Sequence, residues 1–104
     1  AAGSLSYYVS GSTRITTTGI VIGQWYHIAV TRNSSSAGTF YINGIPIYTF
    51  TWGTLYVGSL NYIGLFTNTT NYYYTGYMDD LRITKGVARY TTAFTPPTSA
   101  LSTY

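Results

Sequence analysis

The chain contains no cysteine, and only two of its 104 residues are acidic, Asp79 and Asp80. Without cysteine there is no disulfide framework, no thiol nucleophile and no thiolate metal site. That absence is compatible with secretion or a virion surface, where disulfides are common but not obligatory. The shortage of acids bears on catalysis. Glycoside hydrolysis normally needs two carboxylates about 5–10 Å apart, flanking one bond. Asp79 and Asp80 are neighbours on a stretch that reads as a strand, where successive side chains point to opposite faces. Only a bulge between them would let them act together. His27 is the sole histidine, and nothing in the spacing supports a Ser-His-Asp arrangement. The expectation is a protein that is not an enzyme and has no catalytic residues.

Basic residues are few as well: Arg14, Arg32, Arg82, Lys85 and Arg89, for a net charge of +3. With no basic run, a nucleic-acid partner is not expected. No apolar run approaches membrane-spanning length and no basic-then-apolar leader opens the chain, so membrane insertion is not expected either. The chain begins Ala-Ala-Gly rather than with Met, which reads as processed, excerpted or part of something longer.

Charged residues make up 7% of the chain, against about 25% in an average soluble domain, yet 45% are hydrophobic and 18% aromatic. Solubility must come from Thr, Ser, Asn and Gly. Thr and Tyr suit the pleated surface of a sheet, whereas the usual occupants of exposed helix faces are scarce. Composition points to an all-β domain, and the length allows one domain.

Alternation and turn residues divide the chain into strands. Ser4–Val9 reads as a first strand, Arg14–Thr17 as a short return, and Gly19–Gly23 as an approach to a strong strand over Trp25–Arg32. A polar loop at 33–38 leads to a strand over Thr39–Ile42. Asn43-Gly44 then signals a tight hairpin whose two turn positions need positive φ, and Ile45–Thr51 returns. Leu55–Val57 and Leu60–Phe66 read as further strands, Tyr72–Thr84 as one long or bulged strand interrupted at Gly76, and Val87–Tyr90 as a single helical turn. Turn signals recur roughly every 8–12 residues, the spacing of a sandwich or barrel.

Three segments carry a family resemblance: Gln24–Arg32 (QWYHIAVTR), Phe40–Ile45 (FYINGI) and Gly76–Thr84 (GYMDDLRIT). In order and spacing they resemble the central strand, the following hairpin and the closing strand of laminin-G-like domains. The extension Lys85–Tyr90, ending in Phe94-Thr95-Pro96-Pro97, is similar to the version found in phage structural and bacterial surface proteins. The resemblance covers about residues 20–98, leaving 1–19 as divergent N-terminal strands and 99–104 as a tail of a single domain. It implies an antiparallel β-sandwich of the concanavalin A-like jelly-roll type. Family members usually carry several further strands before the segment that starts this chain. The expectation is therefore either a pared-down sandwich or an incomplete one complemented by a neighbouring subunit, because an unpaired edge is a template for another chain.

Each candidate site has a structural reading beside its functional one. Thirteen tyrosines are more than so small a core can bury with satisfied hydroxyls. Tyr72, Tyr73 and Tyr74, with Asn71 and Trp52, are the candidates for ligand binding or subunit contact, by stacking on sugar rings or forming a rigid interface. Their structural alternative is plain filling of the sheet faces. His27 reads as a structural histidine packed beside Trp25 and bonded to a backbone group. Asp79 and Asp80 could join Asn68 or Asn71 in a weak calcium site, but capping of loop amides or pairing with Arg82 is the favoured reading. No other metal or cofactor is expected. Arg82, Lys85 and Arg89 could meet phosphate or acidic glycans. The resemblance implies instead a clasp that closes the sandwich, built from Trp25, His27, Asp79, Asp80, Arg82, Tyr90 and Phe94. Asn33 and Asn68 each start an Asn-X-Ser/Thr glycosylation pattern in a loop.

The functional expectation is a non-enzymatic surface or virion structural module, extracellular, with a Tyr-rich face that binds glycans or a host surface. The alternative is a self-assembling subunit of a fibre, phage tail or capsid decoration, using strand edges and Tyr-rich faces. Its partners would be glycans or other copies of itself, in a homo-oligomer or a larger assembly.

Overall fold

A computed structural model describes residues 2–9, 12–51, 63 and 74–99. Among them are five strands and no helix: β1 (Ala2–Val9), β2 (Ser12–Val21), β3 (Ile28–Arg32), β4 (Ala37–Ile42) and β5 (Ile45–Thr51). All pairings are antiparallel, β1 with β2 in one sheet and β3-β4-β5 in a second. The protein is all-β, with the two antiparallel sheets that a sandwich requires.

The first sheet is a hairpin with two irregularities. Gly3 pairs with Ile20 and Ser4 with Thr18, so Gly19 bulges out, at φ +81°. A left-handed conformation is cheap for glycine alone, which is why a glycine stands at this bulge. A second register shift, between Tyr7 and Tyr8, leaves Arg14 unpaired. The Ser6 and Thr16 hydroxyls, directly opposite each other, hydrogen-bond at 2.8 Å. After β2 the chain turns through Gly23, at φ +88°. Tyr26 fastens this turn: its hydroxyl accepts from the Val21 amide at 2.9 Å and donates to Gln24 Oε1 at 3.2 Å.

In the second sheet β4 is the central strand. It supplies the buried hydrophobic residues among those described, Phe40, Tyr41 and Ile42. The turn between β4 and β5 is Asn43-Gly44, with φ +51° and +80°, and Ile42 pairs with Ile45 across it. Both turn residues are left-handed, as a two-residue hairpin of the primed type demands.

β5 bulges at Ile47, since Phe40 pairs with Tyr48 but Tyr41 with Pro46. Antiparallel pairs alternate between bonded and non-bonded. The tight turn closes on a bonded Ile42/Ile45 pair, which places Pro46 at a non-bonded position. There its missing N–H removes nothing from the ladder. On the same strand the Phe50 ring lies across Gly38, so a β-carbon at Gly38 would collide with it and stand 2.6 Å from the Thr31 carbonyl. Tyr48 stacks beside Phe50, with centroids 6.4 Å apart.

Three local expectations are corrected. β3 begins at Ile28, not at Trp25. The hairpin turn ends β4 at Ile42, so opposite His27 the Asn43 side chain replaces a strand partner: its Oδ1 accepts from the His27 amide at 2.9 Å. Residues 74–84 run without joining a ladder, interrupted by Asp80 at φ +53°. Residues 87–90 make no helical turn, because the Tyr90 ring is drawn onto Tyr41 and Phe94. The strands expected over Leu55–Val57 and Leu60–Phe66, apart from Ile63, lie outside the described residues.

Candidate functional site

One face of the second sheet carries an aromatic nest. Ala29 pairs with Tyr41 and Thr31 with Thr39, and directly opposed residues share a face. His27 continues that row, since the Asn43 amide donates to its carbonyl at 2.8 Å. Onto this face folds the segment around residues 90–94. Tyr90 and Phe94 stack nearly parallel, with centroids 3.6 Å apart. The two rings present themselves edge-on to Tyr41, at 6.2 and 5.2 Å, and to His27, at 6.1 and 5.3 Å. Edge-to-face contacts are favoured by the ring quadrupoles.

The segment is also held by backbone. The Phe94 amide donates to the Gly44 carbonyl at 2.9 Å, and a β-carbon at Gly44 would overlap the Phe94 carbonyl oxygen. The hairpin glycine is thus needed twice, for its φ and for this close approach. Tyr90, Phe94 and His27 meet in the nest, whereas Trp25 stands 68% exposed. The neighbours of the His27 ring are therefore Tyr90 and Phe94 rather than Trp25. Two polar atoms in the nest are buried without a partner, Tyr41 Oη and His27 Nδ1.

Asp79 and Asp80 are exposed. Asp79 Oδ1 accepts from the Asp80 amide at 2.8 Å. The positive φ at Asp80 breaks the strand alternation on which the separation of the two carboxylates was argued. No group of three His, Cys, Asp or Glu side chains forms a metal cage among the described residues. Asn33 uses its side-chain oxygen to build the β3–β4 loop, accepting from the Ser35 amide at 2.9 Å and the Ala37 amide at 3.0 Å. Asn33 itself is exposed.

Tyr74 forms a second, exposed aromatic site. Its hydroxyl donates to the Tyr77 carbonyl at 3.2 Å. Its ring curls over Gly76, where a β-carbon would come within 2.8–2.9 Å of it. Tyr74 is 56% exposed and Tyr77 is 83% exposed. Tyr72, Tyr73, Asn71, Trp52 and Asn68 lie outside the described residues. Sequence reasoning singled out Tyr74 but passed over Tyr77, which it placed in the closing strand Gly76–Thr84. The signal was Gly76, which permits the ring of Tyr74 to fold back.

The third feature is a groove of about 370 Å³. One wall is the run of residues 27–32, and the other comprises Asp80, Arg82, Thr84 and residues 87–90. Arg82 and Arg32 are part-buried. Arg32 donates to Ser36 Oγ at 2.9 Å and Arg89 Nε to Thr84 Oγ1 at 2.8 Å. No helix among the described residues is long and apolar enough to cross a membrane.

An all-β chain with two antiparallel sheets, an aromatic clasp and exposed aromatic side chains is of the lectin-like β-sandwich class. A family profile matches it over residues 1–90, and the chain belongs to that laminin-G family, described as the concanavalin A-like lectin/glucanases superfamily. The match takes in the β1–β2 hairpin as well as the three segments that carry the resemblance. No curated relative and no solved structure matches the chain.

Proposed function

We propose that the chain is a non-enzymatic binding module of an extracellular or virion surface, and that its exposed aromatic residues hold glycans or a host surface. The observation that carries this reading is the Tyr74–Tyr77 turn. There one ring is fixed against Gly76 and tied by its hydroxyl while the next stands almost fully in solvent. A ring held in place before binding loses little entropy when a ligand arrives, and its flat apolar face suits the C–H face of a sugar. Trp25 offers a further exposed ring. The module works without a metal or cofactor, and with two acids in the chain, catalysis is not part of this reading.

A glycan array probed with the whole chain tests it. Hits on the unaltered protein that vanish in Tyr77→Ala and weaken in Tyr74→Ala are the expected result. A broad array with no hit, or hits untouched by both changes, would refute it.

The rival reading, a self-assembling structural subunit, is favoured by one observation. Large apolar side chains stand in solvent, among them Ile83 at 80% and Ile22 at 78% exposed. Such surface is costly unless something covers it. Light scattering decides: large particles at low concentration support assembly, and only monomers at high concentration rule it out.

A further inference from the structure

The groove beside β3 has the form of a slot for a strand. Six successive residues, 27–32, line one wall, and consecutive side chains of a strand point to opposite faces. A wall made of all of them is the strand's edge rather than either face. Among the described residues β3 pairs only with β4. The Asn43 amide bonds to the His27 carbonyl, so along β3 the groups of Ala29 and Thr31 turn toward β4. By the antiparallel alternation, the N–H and C=O groups of Ile28 and Val30 turn outward, into the groove. No backbone bond joins the outward edge of Ile28 or Val30 to the facing segment among the described residues. Exposed backbone groups in such a row are a template for an added strand.

The opposite wall carries charge of mainly one sign. Arg82 and Arg89 stand there with Asp80, and Arg32 closes one end of β3, giving three arginines to one aspartate. Alternate residues Asp80, Arg82 and Thr84 line this wall, a spacing that matches the two-residue repeat of an extended ligand.

We infer that the groove along β3 binds an extended, acidic peptide segment of a partner protein, which adds as a strand to the Ile28–Arg32 edge and places its carboxylates against Arg32, Arg82 and Arg89. A second copy of this chain is a poor occupant. Its only acids are Asp79 and Asp80, its net charge is +3, and Asp80 already stands in the groove wall. The inference is independent of glycan binding at Tyr74 and Tyr77, which do not line the groove.

Fluorescence anisotropy on the full chain tests it. The probe is a short labelled peptide alternating valine and glutamate, and the controls are the same peptide with lysine for glutamate and with its backbone amides N-methylated. The acidic peptide is expected to bind. The lysine peptide and the N-methylated peptide should each be at least roughly tenfold weaker, for loss of charge pairing and of edge hydrogen bonds respectively. Arg82→Gln should weaken the acidic peptide and leave Tyr77-dependent glycan hits in place. The inference fails if the acidic peptide does not bind, or if its N-methylated form binds equally well, which would make the groove a simple anion site. It fails too if a heparin-derived oligosaccharide displaces the peptide while binding more tightly, or if sedimentation shows the edge consumed by self-association that the peptide cannot reverse. The N-methylated control uses the unaltered protein, so the outcome does not depend on how well Arg82→Gln folds.

Discussion

The Phe94 amide donates to the Gly44 carbonyl at 2.9 Å, and the Phe94 carbonyl oxygen occupies the place a Gly44 side chain would take. A hairpin turn and a segment fifty residues further along the chain are thereby fixed to each other by one hydrogen bond and one missing atom. The Tyr90–Phe94 stack can reach Tyr41 and His27 because the backbone at Gly44 lets it come close.

Gly44→Ala should therefore do more than strain a turn. The left-handed conformation costs an L-residue about 1–2 kcal/mol, and the overlap with Phe94 displaces the stack as well. The expected loss is about 2–4 kcal/mol in denaturant unfolding, with a fall in Tm of roughly 4–8 °C per kcal/mol for a domain of this size. Asn43→Gly, which keeps the turn but deletes the acceptor for the His27 amide, should cost less. Equal losses would mean that the close approach contributes nothing.

Tyr41 is completely buried and its hydroxyl has no partner. Burying an unsatisfied hydroxyl opposes folding by about 1–3 kcal/mol. Tyr41→Phe keeps the ring contacts with Tyr90 and Phe94 and removes the hydroxyl, so the chemical midpoint should stay level or rise. Tyr41→Ala should lower stability by about 3–5 kcal/mol through the cavity it leaves. A clear loss on Tyr41→Phe would show that the hydroxyl has found a hydrogen bond.

Gly38 is the third position where size decides. Gly38→Ala drives a β-carbon into the Phe50 ring and toward the Thr31 carbonyl, and overpacking of this kind costs about 1–3 kcal/mol. A second change, Phe50→Leu, clears the ring but not the carbonyl. The pair should recover part of the loss in a double-mutant cycle. Full recovery would place all the strain in the ring, and no recovery would place it all in the backbone.

Local features were legible in advance. Asn43-Gly44 announced the hairpin because few residue pairs tolerate two positive φ values, and Ile45–Thr51 was read to its exact ends. The all-β class followed from composition, and the family from three segments in order. Other expectations failed where a local pattern was overruled by its surroundings. Trp25-Tyr26-His27 alternate like a strand, yet β4 has already turned away at Asn43 and leaves them no ladder. Residues 74–84 also read as part of a strand interrupted at Gly76, but the left-handed Asp80 breaks the run a second time and no ladder forms.

The sequence by itself determined that this chain is built of antiparallel strands, because propensity and turn chemistry are properties of residue types. Only the tertiary structure decided that His27 meets Tyr90 and Phe94 instead of Trp25. It also decided that Gly44 serves a second segment as well as its own turn, and that the edge of β3 faces an arginine-lined groove. Those relationships join residues distant in sequence, and their energies depend on angstrom-scale approach, which no spacing along the chain encodes.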